Sequence, residues 1–485
     1  MTSSISGGMT ESTPTICAPT HSDSVTPIQG EQEVRRWLES LFFTMEQREI
    51  EILMSEILPL PQELHMSATT LRLRPRMFWQ TLQITREMMA GFLRPRCKSH
   101  DRRRDFTNLS SNNYTLPLYD YPLWWVACSY DLFMYTGDVD YITKYYPNLV
   151  KVLDTFYPST TDSSTGLLDK RLGVTGGYGD YAFLPRNGPV TYYNALYVIA
   201  LDNAASMARY LGHESDASRW SARARNVSAA MDSLFDTSAG AFYDGICGDV
   251  PCQTHAQDGN SLSIVSGVAN STRAKSILSY LSINNARPYG NSFYDNDVIG
   301  PFSQRVYAFI SYFEIEARFK TGLADSALEE IRRLYGWMST HDPGITTWEG
   351  IGPDGTPYED GFTSMAHGWG TGVVPALTNY ILGVMPSGPG FSTWSVKPFP
   401  GDVKWAKGRV PTPKGPINVG WTRDATGFFL SVTGPLGTKG VVSIPVENGT
   451  VFYDSMIVDG RMDNGYMSMA VEGGGTHSFT VRYEV

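Results

Sequence analysis

The sequence predicts a mainly α-helical fold, with helical hairpins arranged as a toroid, followed by an antiparallel β-sandwich at the C-terminus. Two observations predict this order. From about residue 31 to residue 385, apolar residues recur at three- and four-residue steps, which is the period of a helix with one buried face. After Met385 and a stretch rich in Pro and Gly, apolar and polar residues alternate, which is the period of a half-buried strand.

The helical region is divided into separate apolar stripes by loops rich in Gly, Asp and aromatic residues. Glycines follow four stripes at the position where helices commonly end in a left-handed residue: Gly137, Gly212, Gly322 and Gly383. This spacing is typical of antiparallel hairpins, and about ten to twelve helices would form the toroid. The stripes are Ile142, Tyr145, Tyr146, Leu149, Val150, Leu153; Tyr197, Leu201, Ala204, Ala205, Ala208, Leu211; Ala274, Ile277, Leu278, Leu281; Val306, Phe309, Ile310, Phe313, Ala317; Leu328, Ile331, Leu334, Tyr335; and Val374, Leu377, Ile381.

The C-terminal region contains four alternating runs separated by turn residues at intervals of about ten residues. We therefore place a domain boundary at about residue 388, with the helical toroid at 116–387 and the sandwich at 388–485. The alternating apolar residues are Ile417, Val419, Trp421; Phe428, Leu430, Val432; Val442, Ile444, Val446; and Phe479, Val481, Tyr483.

The N-terminal region differs from the remainder in composition. Residues 1–30 are rich in Ser, Thr, Pro and Gly, which predicts disorder, and they contain no basic segment followed by an apolar one, so we expect no secretory signal in this chain. Residues 31–115 are predicted to be helical. From Arg72 to Arg104 there are ten basic and two acidic residues, a net charge of +8 that leaves −18 elsewhere. This strip is either a surface that binds an anionic partner or a segment that does not belong to the same folded unit as the rest of the chain, and we favour the second.

Composition excludes several classes of function. The formal net charge of −10 argues against nucleic acid as the main partner, because such partners require a basic face. No run of about 18 apolar residues is present, so we expect no membrane span. Five cysteines are too few and too scattered for a zinc site or a disulfide scaffold, and we expect no metal and no cofactor.

Cysteine and glycosylation cues bear on the compartment. Cys247 and Cys252 either close a small disulfide or remain two free thiols. Five sequons favour a secreted ancestry, against the missing signal segment, so the sequence leaves the compartment open. The sequons are at Asn108, Asn113, Asn226, Asn270 and Asn448.

Candidate chemistry lies in the loops between helices, where acids stand beside aromatic residues. Glu349 follows Trp348, and His367 and Trp369 come about twenty residues later. A carboxylate next to an indole is a tunable acid or base, and the histidine and second tryptophan could bond and stack on a sugar ring. The alternative is that both tryptophans are core residues and Glu349 is a solvated loop acid. Asp180, after a glycine-rich loop, is either a site residue or a turn aspartate.

From about Leu116 to the C-terminus the sequence resembles the fungal branch of the α-L-rhamnosidases, glycoside hydrolase family 78. The resemblance rests on YDLFMYTGD at 130–138, GD at 179–180, QDGNSL at 257–262, PF at 301–302, GWM at 336–338, TTWE at 346–349, HGWG at 367–370, WSVKP at 394–398, GD at 401–402 and WA at 405–406. The pair TTWE and HGWG is the specific part, because each of the other pieces is weak alone.

The resemblance implies an (α/α)6 toroid of the six-hairpin glycosidase type, followed by a C-terminal β-sandwich. By comparison with the family, we expect the toroid to be incomplete at its N-terminal end. It also implies an inverting hydrolase, which needs one protonated acid and one carboxylate that activates water. On this mapping Glu349 is the general base. The sugar-binding residues would be Asp180, Tyr181, Trp348, His367 and Trp369.

The general acid departs from the family pattern. The family carries it in a motif of the type Asp-Gly-x-Lys-Arg-Asp-Arg, followed by Trp and Gly-Asp, whereas the nearest stretch here is DRRRD at 101–105. Asp105 is accordingly the candidate acid. Three hypotheses follow: an α-L-rhamnosidase-like hydrolase acting on a carbohydrate or a glycosylated small molecule; a non-catalytic descendant that binds a glycan or glycoside; or another six-hairpin enzyme, such as a lyase or a different exo-glycosidase.

Overall fold

The structure is a computed structural model that describes residues 49–52, 119–172, 186, 188–298, 304–341, 347–357, 363–447, 449–460 and 462–484. The predicted disordered segment 1–30 and most of the predicted helical segment 31–115 lie outside these residues. Within the second segment, Glu49–Ile52 forms a strand, so the helical prediction is wrong there. The four residues alternate Glu and Ile, which is a period of two, and they pair antiparallel with Trp405–Val410 at the edge of a sheet.

The helical part consists of hairpins in which one helix is buried and the next shows one apolar stripe. Helix α5 has eight of its nine residues buried and α6 only four of fourteen, which places α5 in an inner layer and α6 in an outer layer. The inner helices contact one another in series, as in a six-hairpin toroid. The helices are α1 Tyr121–Thr136, α2 Val139–Lys151, α3 Thr191–Tyr210, α4 Glu214–Ala230, α5 Gln257–Val265, α6 Ser271–Asn284, α7 Ala308–Lys320 and α8 Ala324–Thr340.

Two helices continue into wider turns. Helix α2 passes into a π-helical turn at Val152–Phe156, and the last inner helix, Val373–Ala376, passes into another at Leu377–Ile381. Every predicted apolar stripe falls on one of these elements or on their immediate ends. The four predicted terminal glycines have φ between 73° and 88°, which confirms them as left-handed ends.

Loop length differs sharply between the two ends of the hairpins. An inner helix is joined to its outer partner by two to five residues, whereas an outer helix is joined to the next inner helix by residues 157–190, 231–256, 285–307 and 341–372. Because successive helices run in opposite directions, all four long connections lie at the same end, where the inner helices begin. We call it the site end.

The long connections contain short strand pairs that order them. Three are local hairpins, and the fourth joins Val306–Tyr307 to Gly350–Ile351, so the connection before α7 is bonded to the one that follows α8. In the second connection Cys247 and Cys252 form a disulfide, which decides between the two alternatives that the sequence left open. The local hairpins are Phe235–Asp236 with Ala241–Phe242, Ile246–Cys247 with Val250–Pro251, and Ala286–Arg287 with Gly290–Asn291.

The C-terminal part is a sandwich of two sheets, and the first strand begins at Val384. Its strands alternate buried and exposed residues as the sequence predicts. The pairing is antiparallel except between Thr393–Val396 and Lys439–Pro445, which run parallel. The seven-stranded sheet has the order Glu49–Ile52, Trp405–Val410, Ile417–Asp424, Gly427–Thr433, Thr476–Tyr483, Gly449–Tyr453, Met456–Ile457; the five-stranded sheet has the order Val384–Pro386, Thr393–Val396, Lys439–Pro445, Tyr466–Glu472, Met462–Asp463.

The sandwich and the last hairpin share one apolar core. Buried residues of α8, of the final π turn and of both sheets contact one another without interruption. Trp421, on the inner face of the seven-stranded sheet, donates its indole N–H to the carbonyl of Ile381 at 2.8 Å. The sandwich is therefore attached to the end of the last inner helix by both packing and a buried hydrogen bond.

We expect Gly137→Ala to lower the free energy of unfolding more than Gly212→Ala. Both glycines have a positive φ, 73° and 80°, so alanine strains either backbone. A Cβ at Gly137 would also lie 3.2 Å from the Cα of Gly390 next to the sandwich. A Cβ at Gly212 would have no neighbouring atom of the described residues within 4 Å. Urea denaturation should show a loss of about 1 kcal/mol for Gly212→Ala and about 2–3 kcal/mol for Gly137→Ala. Equal losses would contradict the close approach.

Candidate functional site

Two separated motifs meet at the site end and form one backbone ladder. The N–H of Glu349 donates to the carbonyl of Ser364 at 2.9 Å, and the N–H of His367 donates to the carbonyl of Thr347 at 2.9 Å. The hydroxyl of Thr347 also donates to the carbonyl of His367 at 3.1 Å. The structure thus brings residues 347–349 and 364–367 side by side.

The carboxylate of Glu349 is held from one side and open on the other. Its Oε2 accepts the backbone N–H of Ser364 at 3.0 Å, which fixes the direction of the side chain. The side chain is 37% exposed, so its remaining lone pairs reach solvent. A carboxylate that is fixed in direction and has access to water is the arrangement that a general base requires.

His367 stands beside Glu349 without pairing closely to it. Its Nδ1 is 3.9 Å from Oε2 of Glu349. Burial lowers the pKa of the His367 imidazole, and the nearby Glu349 charge opposes this only in part. The imidazole is therefore neutral at neutral pH, and it can donate one hydrogen bond and accept another.

Trp348 does not line the cleft, which corrects the prediction that it binds the sugar. Its side chain is fully buried in the core shared with the sandwich. The physical reason is hydrophobic: burial in this core removes the large indole of Trp348 from water, while the neighbouring Glu349 carboxylate stays partly exposed. Its indole N–H has no acceptor in the part of the chain that the structure describes.

Trp369 is half-buried and rests on two aromatic residues that sequence reasoning missed. Its ring centroid lies 4.3 Å from that of Phe309 and 5.7 Å from that of Tyr121. Tyr121 opens α1 and Phe309 is the second residue of α7, so both lie at the starts of inner helices. The sequence signal for them is an aromatic residue in the first turn of an inner helix, although core packing gives the same signal. We call Tyr121, Phe309 and Trp369 the aromatic wall.

A buried ion cluster lies at the same end. The guanidinium of Arg186 bonds both oxygens of Asp258 at 2.6 and 2.8 Å and both oxygens of Asp244 at 3.2 and 2.5 Å. The hydroxyl of Tyr294 donates to Asp244 at 3.0 Å. Burial raises the pKa of Asp258 even though Arg186 acts in the opposite direction. The resemblance had included Asp258 in its QDGNSL stretch, but Arg186 and Asp244 were not singled out.

A second charged group ties the connections before α5 and α7 together. The imidazole of His255 lies between two carboxylates, with Nδ1 2.7 Å from Asp295 and Nε2 3.2 Å from Asp236. Tyr280 donates its hydroxyl to Asp295 at 2.7 Å, and the ring of Tyr243 stacks on the imidazole. Burial opposes the charged imidazole, but the bonds and charges of Asp295 and Asp236 prevail and raise the pKa of His255.

Three predicted site residues, Asp105, Asp180 and Tyr181, lie outside the described residues, and their roles stay predictions. In the described ranges, no three His, Cys, Asp or Glu side chains are grouped so that they could hold a metal ion. Among the helices of those ranges, none combines the length and the hydropathy that a membrane crossing requires.

Both parts of the chain match family models. Residues 100–285 match the bacterial alpha-L-rhamnosidase six-hairpin glycosidase domain, and residues 383–454 match the bacterial alpha-L-rhamnosidase C-terminal domain. An alpha-L-rhamnosidase of Streptomyces avermitilis is 29% identical over 171 residues, which are 33% of this chain and 16% of that protein. One from Alteromonas sp. (strain LOR) is 38% identical over 72 residues, 15% of this chain and 8% of that protein. The chain thus covers only a small part of these relatives.

Solved structures support the same fold. The alpha-L-rhamnosidase of Dictyoglumus thermophilum has a TM-score of 0.56 at 17% identity, covering 74% of this chain and 39% of that one. The Streptomyces avermitilis enzyme, complexed with L-rhamnose, has a TM-score of 0.54 at 20% identity, and the match covers 75% of this chain and 32% of that one. A family 78 rhamnosidase of Bacillus sp. GL1 has a TM-score of 0.51 at 25% identity and covers 63% and 31%.

The His255 group predicts a stability that depends on pH. Because folding raises the His255 pKa above its ordinary 6.5, this contribution is fully present below that value and is lost as the pH rises through the folded-state pKa. The melting temperature of the wild type should therefore fall as the pH rises from about 6.5 through the folded-state pKa of His255. His255→Gln should melt lower at acidic pH and show a flatter profile. A wild-type profile as flat as that of the variant would contradict the raised pKa.

Trp348 and Trp394 form a matched pair for testing the unpaired indole. Both are fully buried, but Trp394 donates its N–H to the hydroxyl of Thr438 at 2.9 Å. Replacement by Phe removes a similar volume at each position, so the difference between the two variants reports the hydrogen bond. Trp394→Phe should cost about 1 kcal/mol more free energy of unfolding than Trp348→Phe. A larger loss at Trp348 would mean that its N–H has an acceptor.

Proposed function

We propose that this chain, whose two domains are both related to those of the α-L-rhamnosidases of glycoside hydrolase family 78, releases a terminal rhamnose-type sugar from a glycoside. The observation that carries the proposal is the Glu349 carboxylate. It is fixed by the Ser364 N–H, open to water, and placed beside His367 at the end of the toroid where the long connections gather. The whole activity is a proposal, because the chain spans less than half of the Streptomyces avermitilis and Dictyoglumus thermophilum rhamnosidases to which it is similar.

The proposed reaction inverts the anomeric carbon. Glu349 takes a proton from a water molecule as the water oxygen attacks that carbon, and the bond to the leaving-group oxygen breaks while an acid protonates that oxygen. The two carboxyl groups must stand about 6.5–9.5 Å apart to leave room for the water. We assign the acid to Asp105, on the sequence resemblance alone.

The sugar would bind at the site end, between the connection that holds His367 and Trp369 and the connection that precedes α3. His367 offers a neutral imidazole to a hydroxyl, and Trp369 offers a half-buried ring to the apolar face of the sugar. Asp180 and Tyr181 would bind hydroxyls from the connection that precedes α3. Neither nucleic acid nor membrane enters this proposal.

A second candidate function is glycoside binding without turnover. It is favoured by the departure of residues 101–105 from the acid motif, which has no following Trp and no Gly-Asp. Loss of a general acid costs factors of about 10² to 10⁴ in rate and does not remove the aromatic wall or His367. Hydrolysis and binding are therefore separable by experiment.

We expect Glu349→Gln to lower the kcat for p-nitrophenyl α-L-rhamnoside by a factor of about 10² to 10⁴, because the amide cannot accept the proton of water. Glu472→Gln is the matched control, since that side chain is exposed on the sandwich. The sugar first released by the wild type should be the β-anomer, observed by proton NMR. A Glu349→Gln variant as active as the wild type would exclude the base role. A wild type that binds L-rhamnose without turnover would favour the second function.

A further inference from the structure

Tyr192 is a buried residue at the start of α3 that contacts Trp124, which packs against the aromatic wall, and Arg186 of the ion cluster. Its hydroxyl accepts the indole N–H of Trp124 at 2.9 Å and donates to Oδ2 of Asp120 at 2.8 Å. Trp124 is 9% exposed, while Tyr192 and Asp120 are essentially inaccessible to water. A buried phenol with a donor on one side and a carboxylate on the other has its direction fixed, and so has the indole that it binds.

Trp124 carries this fixed geometry to the aromatic wall. Its ring stacks on Phe313 at 5.0 Å and meets Phe309 edge-on at 5.6 Å. Phe309 in turn contacts Trp369 at 4.3 Å. Each ring contact contributes only a small free energy beyond the area that it buries, so a hydrogen bond that fixes one ring strengthens the orientation of the whole stack. The hydrogen bond from Trp124 to Tyr192 supplies that anchor.

The ring of Tyr192 faces the other side of the site. The guanidinium carbon of Arg186 lies 5.5 Å from its centroid, within the range of a cation–π contact. Arg186 is the centre of the ion cluster with Asp244 and Asp258, and it follows Asp180 by six residues in the chain. One side chain thus contacts both the support of Trp369 and the ion cluster next to the Asp180 connection.

We propose that Tyr192 is a positioning residue of the sugar site, whose hydroxyl orients the aromatic wall through Trp124 and whose ring supports Arg186. It does not touch the sugar itself. The proposal rests on the proposed function for its kinetic consequence, which is tighter sugar binding. Its structural consequence, a fixed Trp369, does not depend on turnover.

The kinetic experiment compares Tyr192→Phe with Tyr146→Phe in the full chain. Tyr146 is the matched control because it is also buried and donates its hydroxyl to an aspartate, Asp216, at 2.8 Å, but between α2 and α4. With p-nitrophenyl α-L-rhamnoside, Tyr192→Phe should raise KM about threefold to tenfold and leave kcat within about twofold. Tyr146→Phe should change neither constant. An unchanged KM in Tyr192→Phe, or an equal rise in Tyr146→Phe, overturns the proposal.

A second measurement separates this proposal from the proposed function. The rate at which N-bromosuccinimide oxidises Trp369, followed by peptide mass spectrometry, should rise about threefold or more in Tyr192→Phe, because a less fixed ring opens to solvent more often, and stay constant in Tyr146→Phe. Trp405, half-buried in the sandwich, is the internal standard. A wild type without turnover refutes the proposed hydrolysis, yet this rate still tests Tyr192. An unchanged oxidation rate of Trp369 overturns the positioning role whatever the kinetics show.

Discussion

The site end depends on one buried interaction, the pairing of the Arg186 guanidinium with Asp244 and Asp258. A guanidinium and two carboxylates are expensive to remove from water, and the cost is offset only when their hydrogen bonds are well aligned. Here the guanidinium is bonded to four carboxylate oxygens, and Tyr294 adds a further bond to Asp244. The cluster joins the connection before α3, the connection before α5, and α5 itself. Removing Arg186 would leave two buried carboxylates without their cation, so this one side chain holds the three segments together.

The unequal lengths of the connections explain why the chemistry gathers at one end. Short connections with left-handed glycines close the hairpins at the opposite end and leave little chain for side chains of varied chemistry. The long connections supply enough chain for such side chains. Their backbone groups, however, need hydrogen-bond partners when they are buried. The structure provides these partners through small strand pairs, the Cys247–Cys252 disulfide and the His255 group. Glu349 is fixed in the same way, by a ladder between two parts of one connection.

Much of the candidate site follows from local pattern, and the errors have local causes. The sequence indicated that Glu349, His367 and Trp369 belong together, because acids and aromatic residues cluster in one interhelical loop. The resemblance also assigned Trp348 to the sugar, whereas the structure buries its side chain, which agrees with the alternative of core packing that the loop sequence left open. Tyr121 was missed because an aromatic residue at a helix start is equally consistent with core packing. Asp105 lies outside the described residues, so its role stays a prediction.

The sequence by itself determined the helix stripes, their glycine ends, the change to alternating strands near residue 385 and the motifs that resemble one enzyme family. These are properties of neighbouring residues, which share a backbone period and a burial direction. Only the tertiary structure decided that Glu49–Ile52 joins a sheet edge, that Thr393–Val396 pairs in parallel with Lys439–Pro445, and that Tyr192 lies between Trp124 and Arg186. Such contacts join residues far apart in the chain, and their geometry depends on how whole elements pack rather than on the period of any one of them.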